Sequence, residues 1–581
     1  MSDPDRPQGL RRGLTSYGDA DFSLFLRKAF IKAMGLSDDA LARPVVGIAN
    51  TFSDYNACHG NVPKLVEAIK RGVMLAGALP MEFPTISIHE SFAHPTSMFL
   101  RNLMAMDTEE MIRAQPMDAV VLVGGCDKTI PAQLMACASA DVPAIVVPVG
   151  PMLVGHYQGE ELGACTDCRR LWGEHRGGRL DAQAIERVNE RLAPTPGTCM
   201  VMGTASTMAC LTEAMGMALP RSASIPATHA DRLRSAEASG QFAAAMAVRG
   251  APTPSQVMTK AALRNAMVVL QAIGGSTNGL VHLTAIAGRL GHRTDLAEFD
   301  RLGREVPVLL DLKPSGAHYM EHFHWAGGVP RLLRELGGLV DFDAPTVLGG
   351  TLRDYAESAE EVSGQDVIRP RSDPIKPFGS MAVLHGNLAP RGAVIKQSAA
   401  SAALMTHRGR AVVFDSVQDM TERIDDPSLD VAPHDVLVLR NAGPRGAPGM
   451  PEAGYLPIPR KLAQQGVKDM VRISDARMSG TAFGTIVLHV TPESAVGGPL
   501  AVVQDGDTIV LDVPARRIEL MVDDAELARR RDAFDTRGSR GAAVAPERGY
   551  GALFHRSVLQ ADEGCDFDFL VPGRSTQGPA T

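Results

Sequence analysis

No apolar run in this chain approaches the roughly 18 residues that a membrane-spanning helix needs. The strongest, residues 143–154, is short and carries Pro143, Pro148 and Pro151. The opening MSDPDRPQGLRRG is polar and charged, without the apolar core of a secretory signal. Basic excess is lacking too: 58 Lys and Arg stand against 66 Asp and Glu, a net charge of −8. A general nucleic-acid binder needs a basic face, so that class is excluded. The chain is expected to be cytoplasmic, with neither a membrane nor a nucleic-acid partner.

Signatures of several common chemistries are also missing. Asp127, not glycine, precedes Lys128 in GGCDKT, so this is no Walker A loop. In HESFAH the second histidine comes one position too late for an HExxH zinc site. No GxSxG surrounds Ser479, which weighs against a hydrolase elbow. The one CxxC, Cys165 to Cys168, has no second pair at zinc-finger spacing and reads as an incidental loop pair. In a reducing compartment the eight cysteines are thiols, metal ligands or nucleophiles rather than a disulfide framework. There is no internal repeat.

What is present is a long globular chain. Its 581 residues allow about four domain-sized units of ~150 residues, or fewer large ones. Hydrophobic residues at 45% and charged residues at 21% are ordinary for a packed protein, and disorder is excluded. Short β-branched runs at 45–50, 84–90, 119–125 and 144–150 alternate with helical spacing at 62–78 and 97–115. That alternation predicts a parallel sheet covered by helices, with ligands beyond the strands' carboxyl ends. The proline-bearing stretch 363–378 reads as a linker. After it come short strands: MAVLHG, AVVFDS, DVLVLR, TIVLHVT, LAVVQ, DTIVLDV and RIELMV, with Asp505-Gly506 as a hairpin signal. This texture predicts a β-barrel or sandwich over about 380–522 and a helix near 523–533.

Several segments could carry chemistry. Gly124 and Gly125 at a strand end allow a tight turn and close backbone approach. Cys126 beside a helix start favours a thiolate, and Asp127 is a hard oxygen donor suited to Mg²⁺. A plain turn with a buried cysteine fits this hexapeptide equally well. Cys58 and Cys199 lie in two further Gly-, Pro- or Thr-rich loops. Three such cysteines can hold an iron–sulfur cluster with one iron incompletely ligated, or be unrelated buried thiols. Glu90 is a carboxylate at a strand end, Glu452 one on a sharp turn, and Ser479 lies among small residues.

Taken together and in order, NTFSDYNACHG, GGCDKTIPAQLMACASADVPAI, GTCMVMGTASTMACLTEAMGMALP, HGNLAPRGAVIKQSA, GPRGAPGMPE and ISDARMSGTAFGTIVLHV resemble one family. It comprises the dihydroxy-acid dehydratases, 6-phosphogluconate dehydratase and the aldonate (sugar-acid) dehydratases. The resemblance covers about 45–522. CDKT at 126–129, PTSMFLRNLMAMDTEEMIRAQPMD after Glu90 and the ending VLQADEGCDFDFL are closer to the L-arabinonate-type pentonate branch.

The resemblance implies an α/β domain over 1–370, carrying the cysteines and Mg²⁺ ligands, and a β-barrel domain over 380–581, carrying the catalytic serine. Cys58, Cys126 and Cys199 are then ligands of a [2Fe–2S] cluster, with [4Fe–4S] the alternative. Glu90, Asp127 and Glu452 bind Mg²⁺, joined by Lys128 carboxylated by CO₂. Ser479 is the base and Thr481 its assisting hydroxyl. The implied reaction dehydrates a sugar acid to a 2-keto-3-deoxy acid, in a homodimer or homotetramer. Two other readings stand beside it: a dihydroxy-acid dehydratase of branched-chain amino-acid synthesis, and a non-enzymatic iron–sulfur or zinc protein.

Overall fold

The computed structural model describes residues 8–14, 17–537 and 541–573; residues 1–7 of the polar N-terminal stretch lie outside these. Four short strands form the first sheet: β1 (Val45–Asn50), β2 (Leu79–Pro84), β3 (Ala119–Gly124) and β4 (Ala144–Pro148). They run parallel in the order β2-β1-β3-β4. β1, β3 and β4 are almost wholly buried apolar residues, as a sheet covered on both faces demands. The helices Val62–Leu75, Ser97–Ala114 and Thr129–Ala140 supply the crossovers.

One expected strand is displaced. The sequence places it at 84–90, whereas β2 ends at Pro84 and 85–89 is irregular. The ladder runs out because β1 itself ends at Asn50, whose carbonyl takes a last bond from the Thr85 amide. Asp107 then captures the Ile86 amide at 2.8 Å. The freed segment leads straight to Glu90. A small hairpin, β5 (Gly155–Tyr157) and β6 (Glu160–Leu162), follows β4.

The second half contains a closed eight-stranded barrel. Its strands are β7 (Ala382–Gly386), β8 (Ala389–Ile395), β9 (Thr406–Phe414), β10 (Val436–Leu439), β11 (Val471–Ser474), β12 (Ile486–Thr491), β13 (Thr508–Asp512) and β14 (Arg517–Leu520). Closure runs β10-β11-β12-β8-β7-β14-β13-β9. LAVVQ is not among them: Pro499–Val502 is a 3₁₀ turn, so Asp505-Gly506 leads into β13 without making a hairpin. Pro499 lacks the amide a strand would need and fits the first turn of a helix instead. β9, β10, β11 and β12 are mutually parallel, so their carboxyl ends share one rim.

The chain's last described segment returns to the first half. Arg101 Nη2 donates to the carbonyls of Gly564 (2.8 Å) and Cys565 (2.9 Å), and Arg289 Nε pairs with Asp566 at 2.5 Å. Both members of the second pair are fully buried. Breaking one side of a buried pair strands a charge, so Asp566→Ala is expected to lower unfolding free energy by about 3–5 kcal/mol, measured by urea denaturation.

Candidate active site

Four strand ends converge. β1 feeds the turn Ala57–His59 with Cys58, and β3 feeds Gly125 to Lys128. From the barrel rim, β10 leads to Glu452 and β11 to Ser479 and Thr481. Leu439 and Ser474, the last residues of β10 and β11, are register partners, so both loops leave at the same level. Two glycines let the halves meet. Gly449, at φ +81°, lies where a Cβ would come within 2.5 Å of the Phe99 amide nitrogen. A Cβ on Gly480 would lie 2.6 Å from Ser276 Cβ and 2.7 Å from the Thr204 nitrogen.

Between them lies a cavity of about 590 Å³. Cys58, Cys126, Cys199, Glu90, Asp127, Glu452, Ser479 and Thr481 all line it. Lys128 lies beneath the surface, fully buried, against the Asp127 carboxylate and 3.8 Å from Glu90 Oε2. Thus the residues to which the resemblance gives a role come to one place.

The carboxylates of Glu90, Asp127 and Glu452 offer oxygens within 4.8 Å of one another. Arg477, buried between them, donates to Glu452 Oε1 at 2.6 Å and to Glu90 Oε1 at 3.0 Å. Burial raises the Glu90 pKa, but Arg477, Lys128 and the Ser97 and Thr96 hydroxyls together hold it well below the carboxylate range. Glu452 moves the other way: burial, with Glu90 and Asp127 nearby, pushes it up despite Arg477. Three hard oxygen donors in contact suit a divalent cation such as Mg²⁺.

The thiols form a second group. Donor atoms of Cys58, Cys126 and His89 lie within 4.8 Å of one another. Contact with Cys126, then burial, pushes the Cys58 thiol well up. Cys199 Sγ is 3.2 Å from Cys165 Sγ. Clustered soft donors of this kind suit iron–sulfur ligation. Ser479 Oγ and Thr481 Oγ1 are hydrogen-bonded at 2.8 Å, and the Thr481 amide points at Ser479 Oγ from 3.4 Å.

Two models of one family account for most of the chain. The N-terminal model of the dihydroxy-acid/6-phosphogluconate dehydratases matches residues 43–355, and their C-terminal model matches 366–565. The chain belongs to this dehydratase family. Among its relatives, L-arabonate dehydratase of Azospirillum brasilense is 48% identical over 569 residues, 97% of either chain. L-arabinonate dehydratase of Rhizobium leguminosarum bv. trifolii is 45% identical over 95% of each chain. 6-Deoxy-6-sulfo-D-gluconate dehydratase of Pseudomonas putida is 42% identical, over 96% of this chain and 95% of its own.

Several residues in or beside this cavity escaped the sequence reading. Arg477 stood inside the quoted ISDARMSG run, but only the fold shows its two carboxylates. Lys396 is fully buried with Nζ 3.3 Å from the Gly480 carbonyl, and burial pushes its pKa down to about 7. Cys165 and Cys168, which read as an incidental loop pair, line the cavity. His59, next to Cys58, receives the amides of Gly125 and Cys126 at Nε2, each at 3.1 Å. Its Nδ1 is 2.8 Å from the Thr51 carbonyl, which fixes the neutral tautomer with the proton on Nδ1.

Burial lowers the His59 pKa from 6.5 to about 4. Unfolded chains therefore bind the proton first, and the His59 contribution to stability declines as pH falls from about 6.5 towards 4. Replacing His59 by Ala leaves two buried amides unpaired, and is expected to cost about 3 kcal/mol at pH 7. The variant should lose less stability than the parent between pH 6.5 and 4, as read by denaturation across that range.

Proposed function

We propose that the chain is a hydro-lyase that dehydrates a sugar acid, a pentonate such as L-arabinonate or a related hexonate, to the 2-keto-3-deoxy acid. One observation carries this reading: three carboxylates, a serine–threonine hydroxyl pair and clustered thiols face a single cavity. The names of the relatives support a sugar acid over a branched-chain dihydroxy acid. So do His89, Ser91, Arg169, Glu186 and Asn189 in the cavity wall, which can bond to hydroxyls along an aldonate.

Dehydration removes a weakly acidic proton from C2 and hydroxide from C3; the enol left behind becomes the keto acid. Glu90, Asp127 and Glu452 would hold Mg²⁺, and Cys58, Cys126 and Cys199 an iron–sulfur cluster, [2Fe–2S] in preference to [4Fe–4S]. When bound, these groups supply charge stabilisation at the substrate carboxylate and C2 oxygen and Lewis acidity at the C3 hydroxyl. Ser479 Oγ takes the C2 proton. The Thr481 hydroxyl and amide, both aimed at Ser479 Oγ, stabilise its anionic form.

An ammonium on Lys128 competes with a cation for the oxygens of Asp127 and Glu90. Its neutral amine adding CO₂, with loss of a proton, removes that competitor and supplies a fourth oxygen ligand. We assign the three cysteines, Glu90, Asp127 and Lys128 to an α/β domain over 1–370, and Glu452 and the serine to a barrel domain over 380–581. We place the reaction in the cytoplasm, where free thiols persist. No described helix is long and apolar enough to cross a membrane. Assembly as a homodimer or homotetramer is supported by the helix Ala20–Ala33, which leaves Phe25 64% and Phe30 73% exposed.

The test is anaerobic purification with Mg²⁺ and an assay of 2-keto-acid formation from L-arabinonate, D-xylonate, D-galactonate, D-gluconate and 2,3-dihydroxyisovalerate. Turnover of an aldonate well above dihydroxyisovalerate is expected; the reverse preference refutes the sugar-acid assignment. Ser479→Ala should lower kcat by about 10³-fold while iron and magnesium contents stay unchanged. Cys199→Ser should lose iron and bleach the visible absorbance.

A further inference from the structure

Away from the cavity, three more metal-binding side chains meet. His229, Asp231 and His324 each offer a donor atom, and these atoms lie within 4.8 Å of one another. None of the three lines the cavity. His229 caps the helix Ala230–Arg249, and Asp231 sits in its first turn. His324 comes from the short helix Met320–Trp325, in a distant part of the chain.

His324 is 1% exposed, yet neither of its ring nitrogens has a hydrogen-bond partner among the described residues. Buried polar atoms are ordinarily paired, so two orphaned nitrogens on one imidazole leave room for a ligand. Burial, then Arg221, His229 and Arg232, lower the His324 pKa to about 4, so at pH 7 the ring is neutral and keeps a lone pair for a metal. The His229 ring faces it edge-on, with centroids 5.8 Å apart.

The other two donors are spaced for one ion. Asp231 Oδ2 is 3.7 Å from His229 Nδ1. Two donors at about 2.0–2.1 Å on a tetrahedral zinc stand roughly 3.4 Å apart. Nδ1 accepts a long bond from the Asp231 amide at 3.2 Å, which puts the ring proton on Nε2 and turns the Nδ1 lone pair towards Asp231. A cation at Nδ1 replaces that bond and leaves the amide to water at this half-buried helix start. The positive groups nearby have partners elsewhere or can move. Arg232 donates to the carbonyls of Pro148, Ser222 and Ile225, and Arg221 pairs with Glu360 at 2.9 Å. Arg234 lies against Asp231 but is 73% exposed, so an ion displaces it at little cost.

We propose that His229, Asp231 and His324 form a zinc site of their own, with a fourth position left to water. Two imidazoles and one carboxylate suit Zn²⁺ better than Mg²⁺. Both imidazoles ligate in their neutral form, and Arg234 leaves Asp231 as the ion enters. The ion would join two segments that back the cavity. The Met320 amide donates to the carbonyl of Met200, next to Cys199, at 2.8 Å. The Ala227 carbonyl takes a bond at 3.1 Å from Asn61 Nδ2, in the stretch after Cys58.

The test adds Zn²⁺ to the full-length protein after loading with iron and Mg²⁺, and reads His229 itself. Diethyl pyrocarbonate should modify His229, and excess zinc should abolish that labelling. Mass spectrometry reads it at the one residue, so zinc taken up by the thiols or the acidic cluster does not enter the result. Equilibrium dialysis should find one equivalent of zinc more in the parent than in His324→Ala or in His229→Asn, which keeps a capping oxygen for the helix. Unchanged His229 labelling in excess zinc overturns the proposal, as does equal zinc uptake by the parent and His229→Asn. Neither result touches the dehydratase reading, and a protein that takes up no iron still answers the zinc question.

Discussion

Three half-buried carboxylates held together at one cavity set the terms for the rest of this structure. With oxygens within 4.8 Å of one another, Glu90, Asp127 and Glu452 repel by roughly 3 kcal/mol per pair at an effective dielectric of about 20. Positive charge must sit among them, and Arg477 and Lys128 supply it. Burial works against the Arg477 charge, but Glu90, Glu452 and Asp127 more than restore it. Because Glu90 follows the first sheet and Arg477 and Glu452 follow barrel strands, the same ion pairs that quiet the repulsion also clamp the two halves together.

The clamp divides the acids unequally. Glu90 takes hydrogen bonds from Thr96 and Ser97 besides its arginine and is held as a carboxylate. Among the described residues Glu452 takes a side-chain hydrogen bond from Arg477 alone, and it is pushed towards its neutral form. A divalent cation arriving here meets one oxygen site already charged and another whose ionisation it would itself promote. The neutral His59 performs a matching service for the thiols, gathering the amides that shape the turn before Asp127.

Much of this was legible in the sequence, for identifiable reasons. β1, β3 and β4 are unbroken β-branched runs, and nothing else suits VVGIAN or AVVLVG in a covered sheet. The barrel announced itself through closely spaced strands, though LAVVQ was misread because apolar content alone does not register that Pro499 lacks an amide. β2 was placed too late because its end is dictated by where β1 stops, a fact of pairing and not of composition. The cavity-lining residues were found through a family's ordered motifs. Arg477, Lys396 and Cys165 were not, since their significance lies in contacts with residues distant in sequence: Glu90, Gly480 and Cys199.

The return of the C-terminal segment to the first half reaches beyond packing. Arg289 and Arg101 are buried against Asp566 and the carbonyls of Gly564 and Cys565. A ribosome makes about 5–20 residues per second, so these arginines wait on the order of tens of seconds for their partners. The α/β half therefore lacks part of the buried pairing of these two arginines while the chain is still being made. A product cut short of Gly564 keeps Arg289 paired with Glu109 alone and leaves Arg101 without its two carbonyl acceptors, although every residue that lines the cavity has already been synthesised.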